Sequence, residues 1–193
     1  EAKQLMSLMI YSLRDRDQWQ EAMNTFPISD FYYTPNYLAT QEKLEKGLAL
    51  LAVWDSADFG GKVAYAFIKR RIEGCDGRFD ITTPYGYGGP IFSGSPQSAS
   101  EAIRGFRAEF CRFCRNSRIV SEFIRFHPLL GNYVGDCYGM KTAYVRDTVV
   151  VELNPDGDPL AAFPSKTRNM VRKAIRRGVR VEASNDARSL REF

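Results

Sequence analysis

The spacing of apolar residues along the chain changes repeatedly between the period of a strand and the period of a helix. Short runs rich in β-branched and aromatic residues, bounded by turn residues, predict strands. These runs lie at residues 5–13, 48–55, 62–72, 78–84, 119–126, 142–153 and 179–184, with a hairpin as the alternative at 142–153. The three runs between residues 48 and 84 are joined by short turns and predict an antiparallel meander.

Apolar residues at three- and four-residue spacing predict two helices near the amino terminus. The first contains four apolar residues at this spacing: Trp19, Ala22, Met23 and Phe26. Asp15 or Asp17 is its predicted cap. The second helix follows the aromatic turn FYYTPNYL (31–38) and runs to about Lys46, where Gly47 ends it.

A long helix is predicted between residues 98 and 117. Ser98 and Glu101 fit a capping box at its start. Its apolar face is formed by four residues: Ile103, Phe106, Phe110 and Phe113. A basic helix is predicted at about 164–177, with Gly178 as its stop.

This order of elements predicts an α/β fold in which helices flank a mixed sheet. The clearest breaker, NPDGDP at 154–159, sets the predicted domain boundary. We expect a first lobe at 1–153, a linker at 154–163, and a basic linking helix with the start of a second lobe at 164–193. The last ten residues begin like a helix but allow only one or two turns, so we expect a longer functional protein.

Composition and charge narrow the function classes. The 193 residues are 44% hydrophobic and 26% charged, as in globular proteins, and no stretch approaches the ~18 apolar residues of a membrane span. Four cysteines do not indicate a disulfide framework, and no secretory signal is recognisable, so we expect a reducing, cytoplasmic location. Cys111 and Cys114 form a CxxC pair without the second pair of ligands that zinc needs, so we predict no metal site.

The positive charge is concentrated in one segment. Residues 164–180 contain seven of the 27 basic residues and no acid. The rest of the chain contains the other 20 basic residues and all 23 acids, so its net charge is −3. Arg168, Arg172 and Arg176 repeat every four residues along one flank of the basic helix. Guanidinium groups in a row suit the phosphates of tRNA, a nucleotide or coenzyme A, and a solvated face is the alternative.

The glycine-rich loop YGYGGP (85–90) is a candidate ligand site. Its glycines would let backbone N–H groups approach a ligand closely, and a helix beginning after the loop would favour an anion. We therefore expect Tyr85, Gly86, Tyr87 and Gly88 to contact substrate. A tight turn with a purely structural role is the alternative.

Polar and aromatic residues in other segments are candidates for lining a ligand-binding cleft together with this loop. His127 is the only histidine and therefore the candidate general base, with a structural hydrogen-bonding role as the alternative. Arg125 and Asn132 flank it and could bind an acceptor anion or line the cleft wall. In the aromatic turn, Tyr33 and Tyr37 suit a cleft that is part apolar and part wet, with core packing as the alternative.

Four local sequences, in their order along the chain, resemble the FemAB-like branch of the GNAT superfamily. They are FYYTPNYL (31–38), ITTPYGYGGP (81–90), FIRFHPLLGN (123–132), and TVVVEL (148–153) followed by SKTRNMVRKAIRRGVRV (165–181). The resemblance implies two GNAT-like lobes facing each other across a cleft, with strands 78–84 and 119–126 side by side. In this family a lysine near the aromatic turn contacts a nucleotide-linked precursor, and Gln41 and Lys43 lie in that neighbourhood.

The resemblance also implies an enzyme that forms an amide between a donor and an amine acceptor. The donor would be aminoacyl-tRNA or acyl-CoA, and the pathway would be that of cell-wall peptidoglycan, a polysaccharide or a natural product. The family generally places donor chemistry in the second lobe, so the fragment itself could be inactive.

Two alternatives stay open. The first is an RNA- or phosphate-binding module without activity of its own. The second is a single-lobe acetyltransferase that uses coenzyme A, although the chain lacks the Q/R-x-x-G-x-G/A pattern of such enzymes and is predicted to have an extra strand after residue 178.

Overall fold

The structure, a computed structural model, describes residues 8–27, 30–152, 157–186 and 188–189. The chain consists of two compact units, Glu1–Val145 and Arg146–Phe193. The lobe at 1–153 and the linker at 154–163 stay predictions, as does the start of a second GNAT-like lobe at 164–193.

The first unit contains a mixed sheet of six strands. They are β1 (Leu8–Ser12), β2 (Leu48–Ser56), β3 (Gly61–Arg71), β4 (Phe79–Thr82), β5 (Ile91–Phe92) and β6 (Ile119–Phe123). The order is β1-β2-β3-β4-β6, with β5 paired to β3. The pairs β1–β2, β2–β3 and β3–β4 are antiparallel, whereas β6 runs parallel to β4. The α/β fold with a mixed sheet is therefore confirmed.

The described residues form four α-helices, three of them in the first unit. They are α1 (Arg16–Asn24), α2 (Pro35–Leu44), α3 (Ala99–Asn116) and, in the second unit, α4 (Ser165–Arg176). Four short 3-10 turns occupy Phe31–Tyr33, Ala57–Phe59, Pro96–Ser98 and Gly135–Tyr138. All four predicted helices are present within a few residues of their expected ends.

The sheet separates two apolar clusters because side chains alternate between its faces. On one face, Trp54 and Tyr65 pack with Ile103, Phe106 and Phe110 of α3. The predicted apolar face of α3 is confirmed, since these three residues are buried and Phe113 packs against the same cluster.

The other face is covered by α1 and α2. Trp19 and Met23 of α1 and Leu38 of α2 are buried against the sheet. Full burial of a side chain such as Leu38 contributes about 1.5–3 kcal/mol, so contacts of this kind hold both helices on the sheet. Helices on both faces give the three-layer arrangement expected for this order of elements.

Asp15 and Ser98 occupy the N-cap positions of α1 and α3, as predicted, but neither side chain makes a capping hydrogen bond. The carboxylate of Asp15 accepts hydrogen bonds from the backbone N–H and the hydroxyl of Ser12, which lower its pKa, and it makes no capping hydrogen bond to α1. Ser98 makes no side-chain cap, because the preceding 3-10 turn leads directly into α3 and leaves Ser98 in a helical conformation.

Two predicted strands are absent from the described residues. Residues 142–152 and 179–184 have strand-forming sequences but form no strand there. Side chains of the first segment are exposed, Val149 by 89%. A strand needs a partner for its backbone hydrogen bonds, and neither segment finds one within the described ranges.

Candidate functional site

The predicted site loops both begin at the carboxyl ends of the parallel strands β4 and β6. Thr82 of β4 lies opposite Phe123 of β6. Beyond them the Thr83 N–H donates to the Phe123 carbonyl at 3.1 Å, and the next backbone link is from the Gly88 N–H to the Arg125 carbonyl at 2.8 Å. The chain between Thr83 and Gly88 therefore leaves the ladder and returns to it. In α/β sheets, ligands bind outside the carboxyl ends of parallel strands.

The side chain of Asn132 joins the motif segments in this region. Its Nδ2 donates to the Gly88 carbonyl at 2.8 Å and its Oδ1 accepts from the His127 N–H at 3.1 Å. The same Nδ2 is 3.5 Å from the Tyr33 hydroxyl. Asn132 is buried, so its amide holds three segments that are far apart in the sequence.

Tyr33 supports the loop from the core. It is 1% exposed, and its hydroxyl donates to the Gly89 carbonyl at 3.0 Å. Its own carbonyl accepts from the Trp19 indole N–H at 2.8 Å, and burial raises its pKa. These contacts fit core packing, the alternative role of this residue, and a ligand contact would require the ring to leave the core.

His127 is buried with both ring nitrogens engaged. Its Nδ1 accepts the Leu129 N–H at 3.1 Å, and its Nε2 lies 3.1 Å from a carboxylate oxygen of Asp30. Because Nδ1 is an acceptor, the neutral ring carries its proton on Nε2 and donates it to Asp30. A role as general base would require one of these two bonds to open.

The side chains of Tyr37, Gln41 and Arg125 form hydrogen bonds with the backbone of the loop. The Tyr37 hydroxyl donates to the Tyr85 carbonyl at 2.7 Å, and the Tyr85 N–H donates to the Gln41 side chain at 3.3 Å. Arg125 donates to the Gly86 carbonyl at 3.3 Å. Because Tyr85 is held through its backbone, its ring is left 73% exposed.

Four aromatic rings in contact with one another, and the exposed ring of Tyr85 in the adjoining loop, form a surface that we call the aromatic platform. The rings in contact are those of Phe31, Tyr32, Tyr37 and Tyr87, and the Tyr85 carbonyl is bonded to the Tyr37 hydroxyl. Tyr32 lies at the centre, with its ring centroid 4.1 Å from Phe31, 5.4 Å from Tyr37 and 5.9 Å from Tyr87.

The platform offers both ring faces and hydroxyl groups to a ligand. Burial raises the pKa of Tyr32 and of Tyr37, so both hydroxyls stay protonated at neutral pH. Within the described residues, the hydroxyls of Tyr32, Tyr85 and Tyr87 make no hydrogen bond to the protein. They are therefore available to a ligand with polar groups.

The glycine-rich loop leads into a strand rather than into the predicted helix. The short strand β5 comes directly after it and α3 begins only at Ala99, so the helix that follows in the sequence does not begin at the loop and lends it no dipole. Gly86 and Gly89 have φ values of +97° and +95°, which favour glycine. In the described part of the chain, the N–H groups of Gly86 and Tyr87 have no protein acceptor.

The basic helix α4, taken by itself, uses its three predicted arginines differently. Arg168 donates to the carbonyl groups of Phe163 and Ala161, in the segment that precedes the helix, and is therefore already engaged within this unit. Arg172 and Arg176 are exposed, and no carboxylate in the described ranges pairs with them. Two of the three arginines are thus available to an anionic partner. The predicted stop at Gly178 is confirmed, with φ of +76°.

Asp30 is the site residue that the sequence prediction missed. It precedes the aromatic turn and pairs with His127, 97 residues away in the sequence. The only sequence feature that pointed to Asp30 was its position directly before the aromatic turn FYYTPNYL (31–38).

Neither a metal site nor a membrane span is found in the described part of the chain. No group of His, Cys, Asp and Glu side chains among the described residues could hold a metal ion. None of the helices in these ranges is long and apolar enough to cross a membrane. No family model, curated protein or solved structure matches the chain. The function therefore has to be inferred from the residues and their geometry.

Proposed function

We propose that the chain belongs to an amide-forming acyltransferase with a GNAT-like, FemAB-like architecture, and that the aromatic platform and the adjacent loop bind the amine acceptor. The observation that carries the proposal is the convergence of three motif segments, 31–38, 81–90 and 123–132, at the carboxyl ends of β4 and β6. The carboxyl ends of adjacent parallel strands are where α/β sheets bind ligands, so the meeting of these segments there supports one shared site.

The order of elements supports the GNAT-like part of the proposal. One strand and two helices precede an antiparallel meander, and a long helix then crosses to a strand parallel to the last strand of the meander. The same order is implied by the resemblance of the motifs. A layered sheet of this kind hosts many functions, so the activity has to be argued from the site.

The chemistry of amide formation makes few demands on side chains. The neutral amine attacks the acyl carbonyl carbon, a C–N bond forms, and the bond to the leaving oxygen of tRNA or sulfur of coenzyme A breaks. The amine loses one proton and the leaving group gains one. Catalysis consists mainly of positioning and of hydrogen bonds to the carbonyl oxygen, for which N–H groups such as those of Gly86 and Tyr87 are suitable. His127 need not act as a base.

The test is amide formation by the purified chain with acetyl-coenzyme A and charged tRNA in parallel, using a panel of primary amines and mass detection of the product. Product from charged tRNA alone would support the aminoacyl transferase, and product from coenzyme A alone would assign the donor as acyl-CoA. Absence of product from both donors, with a folded chain and with a longer form of the protein, would reject the proposal.

An RNA- or phosphate-binding module is the second candidate function. Arg172 and Arg176 are exposed on α4 without carboxylate partners in the described residues, and this observation favours it. Binding that depends on these residues should weaken steeply as the salt concentration rises. Tight, salt-dependent binding to RNA with no amide formation would favour this function over the first.

A further inference from the structure

A cavity of about 330 Å³ lies beside the candidate site, between α1 and the 3-10 turn Phe31–Tyr33. Its lining combines apolar and polar groups: Met23, Phe26, Tyr33, Gln20, Asn24, Thr34 and Asp30. Its volume is at the lower end of the range of small-molecule sites. Asp30 connects it to the candidate site, because the same carboxylate bonds to His127.

Asp30 is the only charged residue among the described residues that line this cavity, and none of them supplies its charge with a cationic partner. One carboxylate oxygen accepts from His127 Nε2, a neutral donor in the tautomer that its other nitrogen requires. The other carboxylate oxygen has no hydrogen-bond partner in the described residues. The carboxylate side chain is 29% exposed, so a ligand can reach it. A partly buried carboxylate favours a cation placed against it.

The rest of the lining restricts the shape of such a cation. Met23, Phe26 and Tyr33 are all buried residues that border the cavity with apolar surface. The Gln20 side-chain N–H donates to the Asn24 side-chain oxygen. The carboxylate of Asp30 is the strongest acceptor of the lining because it is charged. A ligand with a short hydrocarbon part and an ammonium head group matches both features.

The larger cavity of the first unit offers no comparable site. It measures about 870 Å³ and is lined by residues that include Arg70, Arg71 and Asp80. Arg70 is paired with Asp80 and Glu45, and Arg71 with Asp76. Its lining mixes three cations with four carboxylates, and both arginines are already paired, so charges of both signs lie side by side and none stands alone as the Asp30 carboxylate does.

We propose that the Asp30 cavity binds the ammonium group of an aliphatic primary amine, which identifies the acceptor class of the transfer and in that respect rests on the proposed function. The ammonium group donates to the free carboxylate oxygen of Asp30, and its hydrocarbon part lies against Met23 and Phe26. The bound ammonium group releases one proton to solvent water at the exposed side of the Asp30 carboxylate, and the neutral amine is then the nucleophile of the transfer.

The test is a titration of the chain with n-butylammonium, with 1-butanol as the uncharged ligand of similar shape. Asp30→Asn removes the charge and keeps an oxygen that accepts the His127 proton. Asp17→Asn, an exposed acid on α1, is the matched control. We expect butylammonium affinity to fall roughly tenfold or more in Asp30→Asn, because a charge-assisted hydrogen bond is removed, and to stay unchanged in Asp17→Asn. Equal affinity in the wild type and Asp30→Asn would overturn the proposal.

A second measurement needs no variant. In the wild-type protein, the methyl resonance of Met23 should shift and saturate with butylammonium, and a titration that leaves this resonance unmoved would also overturn the proposal.

The outcomes separate this inference from the proposed function. Asp30-dependent amine binding without amide product from either donor would retain the cavity and reject the transferase. Amide formation with the same acceptor KM in wild type and Asp30→Asn would retain the transferase and reject the cavity as its acceptor site.

Discussion

The side-chain amide of Asn132 donates to the carbonyl oxygen of Gly88 at 2.8 Å, across 44 residues of sequence. This bond ties the loop after β6 to the loop after β4. Both ends of it are buried, so neither group has water as a replacement partner. Asn132 is therefore one of the residues that fix the position of the glycine-rich loop, together with Tyr33 and Tyr37.

Asn132→Ala should destabilise the first unit. The substitution leaves the Gly88 carbonyl and the His127 N–H buried without their partner, which costs about 2–4 kcal/mol for the two groups together. Urea unfolding followed by circular dichroism measures the decrease in stability. Asn116→Ala, at the exposed end of α3, is the control and should change stability by less than about 0.5 kcal/mol. Equal stability of the two variants would contradict the role given to Asn132.

Gly86→Ala should strain the loop and displace Tyr32. The residue has φ of +97°, and an added Cβ would lie 2.8 Å from Cζ of the Tyr32 ring. We expect stability to fall by about 1–3 kcal/mol together with a change in the Tyr32 ring resonances. Gly74→Ala is the matched control, since it has φ of +74° and open space around an added Cβ. If both variants are destabilised equally and Tyr32 is unmoved, the close approach is not real.

Cys114 should be unreactive in the folded protein. Burial raises the pKa of its thiol to about 12, with the nearby Glu122 adding to the effect. Relative to an ordinary thiol with a pKa near 8.5, the thiolate fraction at pH 8 falls on the order of a thousandfold. Alkylation by iodoacetamide should thus modify the exposed Cys75 long before Cys114, and mass analysis of the peptides measures both. In urea the two rates should become similar.

The raised pKa of Cys114 makes the free energy of unfolding depend on pH, in a direction that follows from the pKa of the folded and the unfolded chain. The unfolded chain releases the Cys114 proton near pH 8.5, whereas the folded chain holds it up to about pH 12. Stability should therefore fall as pH rises above about 8.5. Cys114→Ala should show a shallower fall between pH 8 and 10 than the wild type. An identical pH profile would contradict the assignment.

Arg172→Gln should reduce any affinity of the chain for RNA and make it less dependent on salt. Removal of one phosphate contact should reduce the slope of log affinity against log salt by roughly 0.7 for a single strand. Arg104→Gln, an exposed arginine of α3, is the control with the same charge change. Equal slopes for the two variants would show that α4 makes no specific phosphate contact.

The parts of the fold that were predicted correctly are those that local periodicity determines. The apolar spacing of Ile103, Phe106 and Phe110 predicted α3, and short apolar runs rich in β-branched and aromatic residues between turn residues predicted the meander. The failures are elements that depend on a partner. Residues 142–152 and 179–184 have strand-forming sequences without a neighbouring strand in the described ranges, and β5 has only two residues, too few for any pattern.

The sequence predicted most residues of the candidate site but few of the contacts between them. Glycine, tyrosine and asparagine motifs were recognisable one by one. Their contacts join residues such as Asp30 and His127, which are 97 positions apart, and no spacing rule relates residues at that distance. Tyr33 shows the converse difficulty, because the sequence does not say whether an aromatic ring faces the core or the solvent.

The initial rate of amide formation as a function of acceptor concentration tests the central claim most directly, measured for the wild type, Tyr85→Ala and the control Leu44→Ala. Tyr85 is held through its backbone, so removal of its exposed ring leaves the loop in place. We predict amide product from the wild type and a rise of roughly two- to tenfold in the acceptor KM of Tyr85→Ala, with kcat nearly unchanged. No amide from either donor, with this chain and with a longer form of the protein, or the same acceptor KM in all three proteins, would contradict the claim.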